Sequence, residues 1–225
     1  MENELSLPSL TDVGTLPNRV YLILEDAILQ GKIKQGDRLI EEDLANKLGI
    51  SRAPIREALR MMHKEGLVVI SPRKGAVVNS ISPEDIAEIY EVTSALEGLA
   101  VKLFCARCTD EELTSLQQLY DAMGEQIRKK DVVQYRKLNR TFHEALIRGS
   151  KNKKVIEICG VLQKQISWFQ NMNLSMQSRM EVSLYEHKEI LDACLAKDPE
   201  RAGRKASEHI ALAAQAFVGS KKKDR

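Results

Sequence analysis

The sequence predicts a mainly α-helical fold, in which a winged helix-turn-helix of three helices and a short β-hairpin precedes an all-α antiparallel bundle of six to seven helices. Apolar residues recur at helical spacing on both sides of the tight turn Gly49-Ile50-Ser51. A β-type run follows at residues 67–70 and is closed by turn residues. From Ser82 onward, the chain is periodic at three and four residues almost to its end.

These patterns divide the chain into a flexible N-terminal arm, a winged helix-turn-helix, a helical bundle and a basic tail, at residues 1–18, 19–79, 80–217 and 218–225. The first helix is predicted to start at Arg19. The bundle starts at Ser82-Pro83, where a capping serine and a proline in the first turn are typical of a helix N-terminus. Its helices are predicted at about 83–107, 110–129, 131–149, 152–172, 179–197 and 199–217.

Composition limits the class of protein. The 225 residues are 43% hydrophobic and 29% charged, with a net charge of +2, which is enough apolar material for a core. No stretch approaches the roughly 20 apolar residues that a membrane helix needs, so a cytoplasmic protein without membrane contact is expected. Four cysteines in a chain of this length do not form a disulfide framework, and reduced thiols are expected.

Three arginines form a stripe on the second helix of the helix-turn-helix. Arg52, Arg56 and Arg60 recur every fourth residue, away from the apolar positions Ile55 and Leu59. One face of this helix can therefore pack while the other contacts phosphates and bases. The stripe predicts contact with the major groove of double-stranded DNA.

The predicted hairpin carries two further cations at its tip. Arg73 and Lys74 precede Gly75, so cationic side chains and an accessible backbone lie together. This arrangement predicts contact with a phosphate or with the minor groove. The alternative is an ordinary solvated loop tip.

Three of the four histidines fall on three different helices of the predicted bundle. His143, His187 and His209 are separated so that one site inside the bundle could collect them, and Asn139 lies one turn before His143. Three imidazoles and an amide oxygen suit a divalent ion such as Zn²⁺ or Ni²⁺. The alternative is a metal-free pocket with structural histidines that hydrogen-bond to carbonyls or carboxylates.

The charge of such a site indicates its ligand. Neutral histidines and a neutral Asn139 leave the +2 charge of an ion uncompensated, so a small carboxylate metabolite is expected to bind. The ion could instead activate water in a hydrolase, which would need a base. Glu144 and Glu186, next to His143 and His187, are predicted to point about 100° away. The chain is therefore not expected to be an enzyme.

Several stretches resemble a known family. GISRAPIREALRMMHKEGLV (49–68) is similar to the winged helix of GntR transcription regulators. LNRTFHEAL (138–146), YEHKEILDACLAKD (185–198) and ASEHIALA (206–213) resemble the three histidine motifs of the FadR-like, FCD-type effector domain. The resemblance implies a homodimer on a pseudo-palindromic operator, whose affinity changes on ligand binding. It also implies DNA contacts from the matching positions Ser51, Arg52, Arg56, Lys74 and Gly75.

The chain departs from the family pattern at two places. Asn139 stands where the family commonly has a metal-binding aspartate, so the departure implies either weaker metal binding or a different preferred ion, such as Mn²⁺. The segment from Val92 to Glu97 lacks the arginine that many FCD domains carry, and the effector is therefore not assigned.

The resulting hypothesis is a DNA-binding transcription regulator, acting as a repressor, that responds to a carboxylate at a metal site. Two other classes make different predictions. A hydrolase attached to a DNA-binding domain predicts turnover, and an architectural DNA protein predicts operator binding indifferent to any metabolite.

Overall fold

The computed structural model describes residues 14–72, 75–80, 82–171 and 179–221. The chain forms two compact units. The first unit comprises Met1–Ser82 and Lys164–Asn173. Its described elements in the N-terminal segment are α1 (Leu16–Leu29), β1 (Arg38–Leu39), α2 (Glu41–Leu48), α3 (Arg52–Lys64), β2 (Val68–Ser71) and β3 (Gly75–Val78).

The first unit has a small apolar core between α1 and α3. Leu24 and Ile28 of α1 and Ile55 and Leu59 of α3 are at most 2% exposed. Helix α1 begins at Leu16 rather than at the predicted Arg19. Its start is earlier because proline is compatible with the first turn of a helix, where its missing N–H has no partner to lose.

The tight turn of the helix-turn-helix depends on one glycine. Gly49 ends α2 with φ +65°, a left-handed conformation that glycine adopts without steric cost. The next amide, that of Ile50, donates to the carbonyl of Ala45 at 3.1 Å, and Ser51 is then the N-cap of α3. The predicted helix-turn-helix is confirmed.

The wing is a three-stranded antiparallel sheet in the order β1-β3-β2. The predicted hairpin, β2 with β3, pairs Ser71 with Gly75 at its end. Strand β1 was not expected, because two residues are too short to show an alternating pattern. It pairs Leu39 with Ala76. The wing-tip residues Arg73 and Lys74 lie outside the described residues.

The second unit comprises Pro83–Gln163 and Leu174–Arg225. Its helices are α4 (Pro83–Arg107), α5 (Asp110–Lys129), α6 (Val132–Gly149), α7 (Lys153–Asn171), α8 (Met180–Leu195) and α9 (Pro199–Lys221), of which α7 continues into the first unit. The core contains the side chains of Phe104, Leu116, Phe142 and Ile190. None of the helices in the described part of the chain is long and apolar enough to cross a membrane.

The predicted helices of the second unit agree with the observed ones to within two residues, except at the C-terminus. Helix α9 continues to Lys221, so the first four residues of the predicted basic tail, 218–221, are helical. The helix passes through Gly219 because a single internal glycine costs only about 1 kcal/mol relative to alanine and does not end a helix by itself.

Helices α4 and α9 approach each other closely at two glycines. A Cβ atom added to Gly203 would lie 2.8 Å from the carbonyl oxygen of Gly98. Beside this contact, the hydroxyl of Ser94 donates to the carbonyl of Ser207, and the hydroxyl of Ser207 donates to the carbonyl of Ser94. The backbones are therefore held at a separation that larger residues would not allow.

We expect Gly203→Ala to lower the free energy of unfolding by about 1–2 kcal/mol, because the new methyl group meets backbone rather than a movable side chain. Gly160→Ala in α7 is the matched control. Nothing lies within 4 Å of a Cβ at Gly160, so this change should raise stability by about 0.5–1 kcal/mol. Urea denaturation of both variants measures the difference, and equal effects would contradict the close contact.

Candidate metal centre and nucleic-acid interface

The exposed face of α3 carries the predicted arginine stripe. Arg52, Arg56 and Arg60 are all exposed, while Ile55 and Leu59 of the same helix are buried. Ser51 at the N-cap is exposed as well. The sequence prediction of one apolar, buried face and one exposed, arginine-bearing face is confirmed. The exposed face is chemically suited to phosphates and base edges.

A carboxylate from α2 contacts this stripe. Glu41 accepts hydrogen bonds from Nε and Nη2 of Arg56, at 3.0 and 2.8 Å, and lies 3.4 Å from Nη2 of Arg52. The hydrogen bond from Arg56 is the main cause that lowers the pKa of Glu41 below its ordinary value. This contact was not expected from the sequence, because the partners lie on different helices and no local spacing connects them.

Gly75 is the part of the predicted wing interface that the structure describes. It is exposed, begins β3 and has φ +71°, so its backbone is accessible and a larger residue would be strained. The other two residues proposed for the wing, Arg73 and Lys74, are outside the described residues.

In the second unit, the three histidines from different helices come together. His143 of α6, His187 of α8 and His209 of α9 are all buried, and each offers a ring nitrogen within 4.8 Å of the others. The Nε2 atoms of His143 and His187 are 3.2 Å apart. Two imidazoles on one tetrahedral Zn²⁺ would place their nitrogens about 3.3 Å apart.

Two buried carboxylates accept hydrogen bonds from the Nδ1 atoms of two of these three rings. Nδ1 of His143 donates to Glu97 at 2.8 Å, and Nδ1 of His209 donates to Glu186 at 2.6 Å. A carboxylate on Nδ1 fixes the tautomer and leaves Nε2 with its lone pair available to an ion. The two pairs therefore prepare two imidazoles as ligands.

The pKa values of the cluster follow from burial and these contacts. Burial alone would raise the pKa of Glu97, but the charge and hydrogen bond of His143 and the amide of Gln163 lower it below its ordinary value. Glu186 follows the same pattern, through His209 and Arg179. Burial lowers the pKa of His187 far below its ordinary range, with the neighbouring histidines acting in the same direction. These shifts favour the charged form of Glu97 and Glu186, which contact His143 and His209, and the neutral form of His187.

Three residues of this site, Glu97, Gln163 and Arg179, were not expected from the sequence. Glu97 also accepts from Nε2 of Gln163 at 3.1 Å. Glu186, besides accepting from His209, accepts from Nη2 of Arg179 at both of its oxygens, at 2.9 and 2.8 Å. The expectation that Glu186 points away from the site was wrong. Glu186 and His187 point in different directions around the axis of α8, but α9 packs against α8 and brings His209 into contact with Glu186. Because both oxygens are occupied, Glu186 is not a free base.

The residues present fit a divalent ion. The Nδ1 atom of His187 is buried and has no hydrogen-bond partner among the described residues. A buried nitrogen without a partner is unusual and is typical of a site that also binds a further group. Asn139, one turn before His143 on α6, is half-buried. The expectation of an uncompensated +2 charge needs correction, because Glu97 and Glu186 oppose an ion while Arg179 adds to it. With a divalent ion bound, one net positive charge would remain, and such a charge would favour an anion.

Known protein families match both the helix-turn-helix region and the helical bundle of this chain. The family model described as "Bacterial regulatory proteins, gntR family" matches residues 16–78, and the FCD domain model matches residues 88–212. The HTH-type transcriptional regulator YdhC of Bacillus subtilis is 32% identical over 84% of this chain and 85% of its own length. The gluconate operon transcriptional repressor of Bacillus licheniformis is 30% identical over 77% and 70%, respectively. A solved structure titled "E. coli McbR/YncC" superposes with a TM-score of 0.76, at 25% identity, over 93% of this chain and 100% of that one.

His143→Leu is expected to lower the free energy of unfolding by about 3 kcal/mol when measured in chelator, because it leaves the Glu97 carboxylate buried without its imidazole. Adding Glu97→Gln should recover part of the loss, since a neutral amide costs less to bury beside Gln163. Denaturant unfolding of the two variants measures this coupling. Equal stability of the single and double variants would show that the buried Glu97 is not ionised.

Proposed function

This chain belongs to the gntR family of bacterial regulatory proteins and carries an FCD domain, and on that premise we propose that it is a ligand-responsive repressor. It is a DNA-binding transcription regulator rather than an enzyme. In the proposed mechanism, a small carboxylate binds at a metal centre in the second unit and changes operator affinity. The observation that carries the proposal is the buried histidine cluster with carboxylates on two of its three rings.

DNA recognition is assigned to the exposed face of α3 and to the wing. Ser51, Arg52, Arg56 and Arg60 would contact bases and phosphates in the major groove, and Arg73, Lys74 and Gly75 would contact the adjacent backbone. The exposed arginines support this assignment. Operator DNA of a bacterial regulator lies in the cytoplasm, which is where we place the protein.

A homodimer is the proposed functional form. Val92 and Leu99 of α4 are 51% and 42% exposed, although both are large and apolar. They lie seven residues apart and therefore on one face of the helix. A second copy covering this face would present two α3 helices to the two halves of a pseudo-palindromic operator.

The metal centre would use His143, His187, His209 and Asn139 as ligands. Imidazole and amide donors suit Zn²⁺ or Ni²⁺, with Mn²⁺ as a further candidate. When bound, the ion would supply a fixed positive charge for a carboxylate oxygen of the effector. Glu97 and Glu186 would orient the imidazoles, and Arg179 would hold Glu186 in place.

The alternative is a metal-free pocket with structural histidines. One observation favours it, because the contact of 3.2 Å between His143 and His187 is also acceptable as a plain hydrogen bond between one protonated and one free Nε2. The two readings differ in whether the chain takes up an ion.

For DNA binding, we expect Arg56→Ala to weaken operator binding roughly tenfold to a hundredfold if Arg56 reads a base. The probe is a duplex recovered from a random-sequence pool by repeated selection with the wild-type protein, and fluorescence anisotropy measures the affinity. Arg128→Ala, an exposed arginine of α5, is the matched control and should have no effect. Sedimentation of the complex should give two protomers per duplex.

Unchanged binding by both Arg52→Ala and Arg56→Ala would contradict the role of α3. If the two variants instead keep their sequence preference and only lose part of the salt dependence of binding, these arginines contact phosphates rather than bases.

For the metal, we expect protein purified without added metal to contain one ion per chain by elemental analysis. His187→Ala should lose it, and Glu97→Gln should bind Zn²⁺ about 10- to 100-fold more weakly in competition with a chelator. Asn139→Asp should bind more tightly, because it adds a charge to the ligands. His63→Ala, at an exposed histidine of the first unit, is the control and should keep the ion.

A chelator experiment then tests the effector. Carboxylates and sugar acids should raise the melting temperature of the ion-loaded protein and alter its affinity for the selected duplex, and both effects should disappear in chelator. If the protein contains no ion and Zn²⁺, Ni²⁺ and Mn²⁺ give no thermal stabilisation, the metal centre is rejected in favour of the metal-free pocket.

A further inference from the structure

The guanidinium of Arg56 is held on the exposed face of α3 by a carboxylate from the preceding helix. Glu41, the first residue of α2, accepts from Nε at 3.0 Å and from Nη2 at 2.8 Å. An arginine side chain has several rotatable bonds, and two hydrogen bonds from one edge of the guanidinium fix the plane of the group. The orientation of Arg56 is thus determined within the protein, without DNA.

The contact uses one edge of the guanidinium and leaves another open. The group has five N–H bonds in a rigid fork, and Nε with the neighbouring hydrogen of Nη2 forms the edge that Glu41 occupies. The second edge consists of Nη1 and the other hydrogen of Nη2. Within the described residues it has no hydrogen-bond partner, and the Arg56 side chain is 51% exposed. This edge matches the acceptors O6 and N7 of guanine.

We infer that Glu41 is a positioning residue for sequence recognition, which turns the open edge of Arg56 toward a guanine in the major groove. The inference rests on the proposed role of α3 as the DNA-contacting helix. Glu41 is negatively charged, so it adds nothing to the attraction of phosphates. Its effect is therefore expected in the discrimination between base pairs rather than in total affinity.

Arg52 has a smaller part in this arrangement. Its single contact to Glu41 is 3.4 Å long, and one such bond does not fix the plane of a guanidinium. The loss of discrimination is therefore expected at the base pair read by Arg56 alone.

The experiment compares Glu41→Gln with Glu42→Gln, an equal change of charge at the next residue, which is exposed. Binding is measured to the duplex selected by the wild-type protein and to versions in which each G·C pair is replaced by A·T. Glu41→Gln should lose about tenfold of the discrimination at one G·C position, while Glu42→Gln keeps it. Thermal unfolding confirms that both variants are folded.

Full discrimination by Glu41→Gln, or an equal gain of affinity for all duplexes, would overturn the inference, because Glu41 would then only repel phosphates. Arg56→Lys gives a second test. An ammonium group has no second edge to orient, so adding Glu41→Gln to Arg56→Lys should cause no further loss of discrimination. If Arg56→Ala leaves operator binding unchanged, the role of α3 fails. If it weakens binding while Glu41→Gln keeps the discrimination, only the inference fails.

Discussion

The close approach of α4 and α9 is the constraint on which the second unit depends. Gly98 and Gly203 let the two backbones come together, and the paired hydroxyls of Ser94 and Ser207 fix the helices beside that point. Glu97 is the neighbour of Gly98, and His209 lies two residues beyond Ser207. The same contact therefore places a carboxylate of one helix near an imidazole of the other.

Burial of the polar cluster costs folding free energy in an otherwise apolar bundle. Phe142 packs against the rings of His143 and His187, and Phe104 and Leu116 surround the region with aromatic and aliphatic surface. Ionised carboxylates are tolerated here only because each has a charged or hydrogen-bonded partner. A core of leucine and isoleucine would hold the helices at lower cost. This cost supports the proposed role of the cluster in ligand binding.

The sequence predicts what local patterns encode. Helical periodicity places the six helices of the second unit to within two residues at all but one end, and the turn at Gly49 identifies the helix-turn-helix. The positions of the three histidines on separate helices allowed a common site but left isolated structural histidines as an alternative, and the fold brings the three together. Pairings between distant segments could not be read in this way. Glu97 is 46 residues from His143, and Glu41 is 15 from Arg56. Glu186 shows why: an angle about one helix axis does not tell which neighbouring helix fills that direction.

The carboxylates on His143 and His209 would affect how fast the proposed ion exchanges. With Nδ1 engaged in both rings, neither ring can turn without breaking a buried hydrogen bond. An ion held between α6, α8 and α9 would have to break its bonds to several fixed imidazoles before it left, so it would dissociate more slowly than an organic ligand that contacts the ion alone. Such an ion would not follow rapid changes in the cellular metal concentration. It would act as a permanent part of the receptor, and the organic ligand would be the component that exchanges.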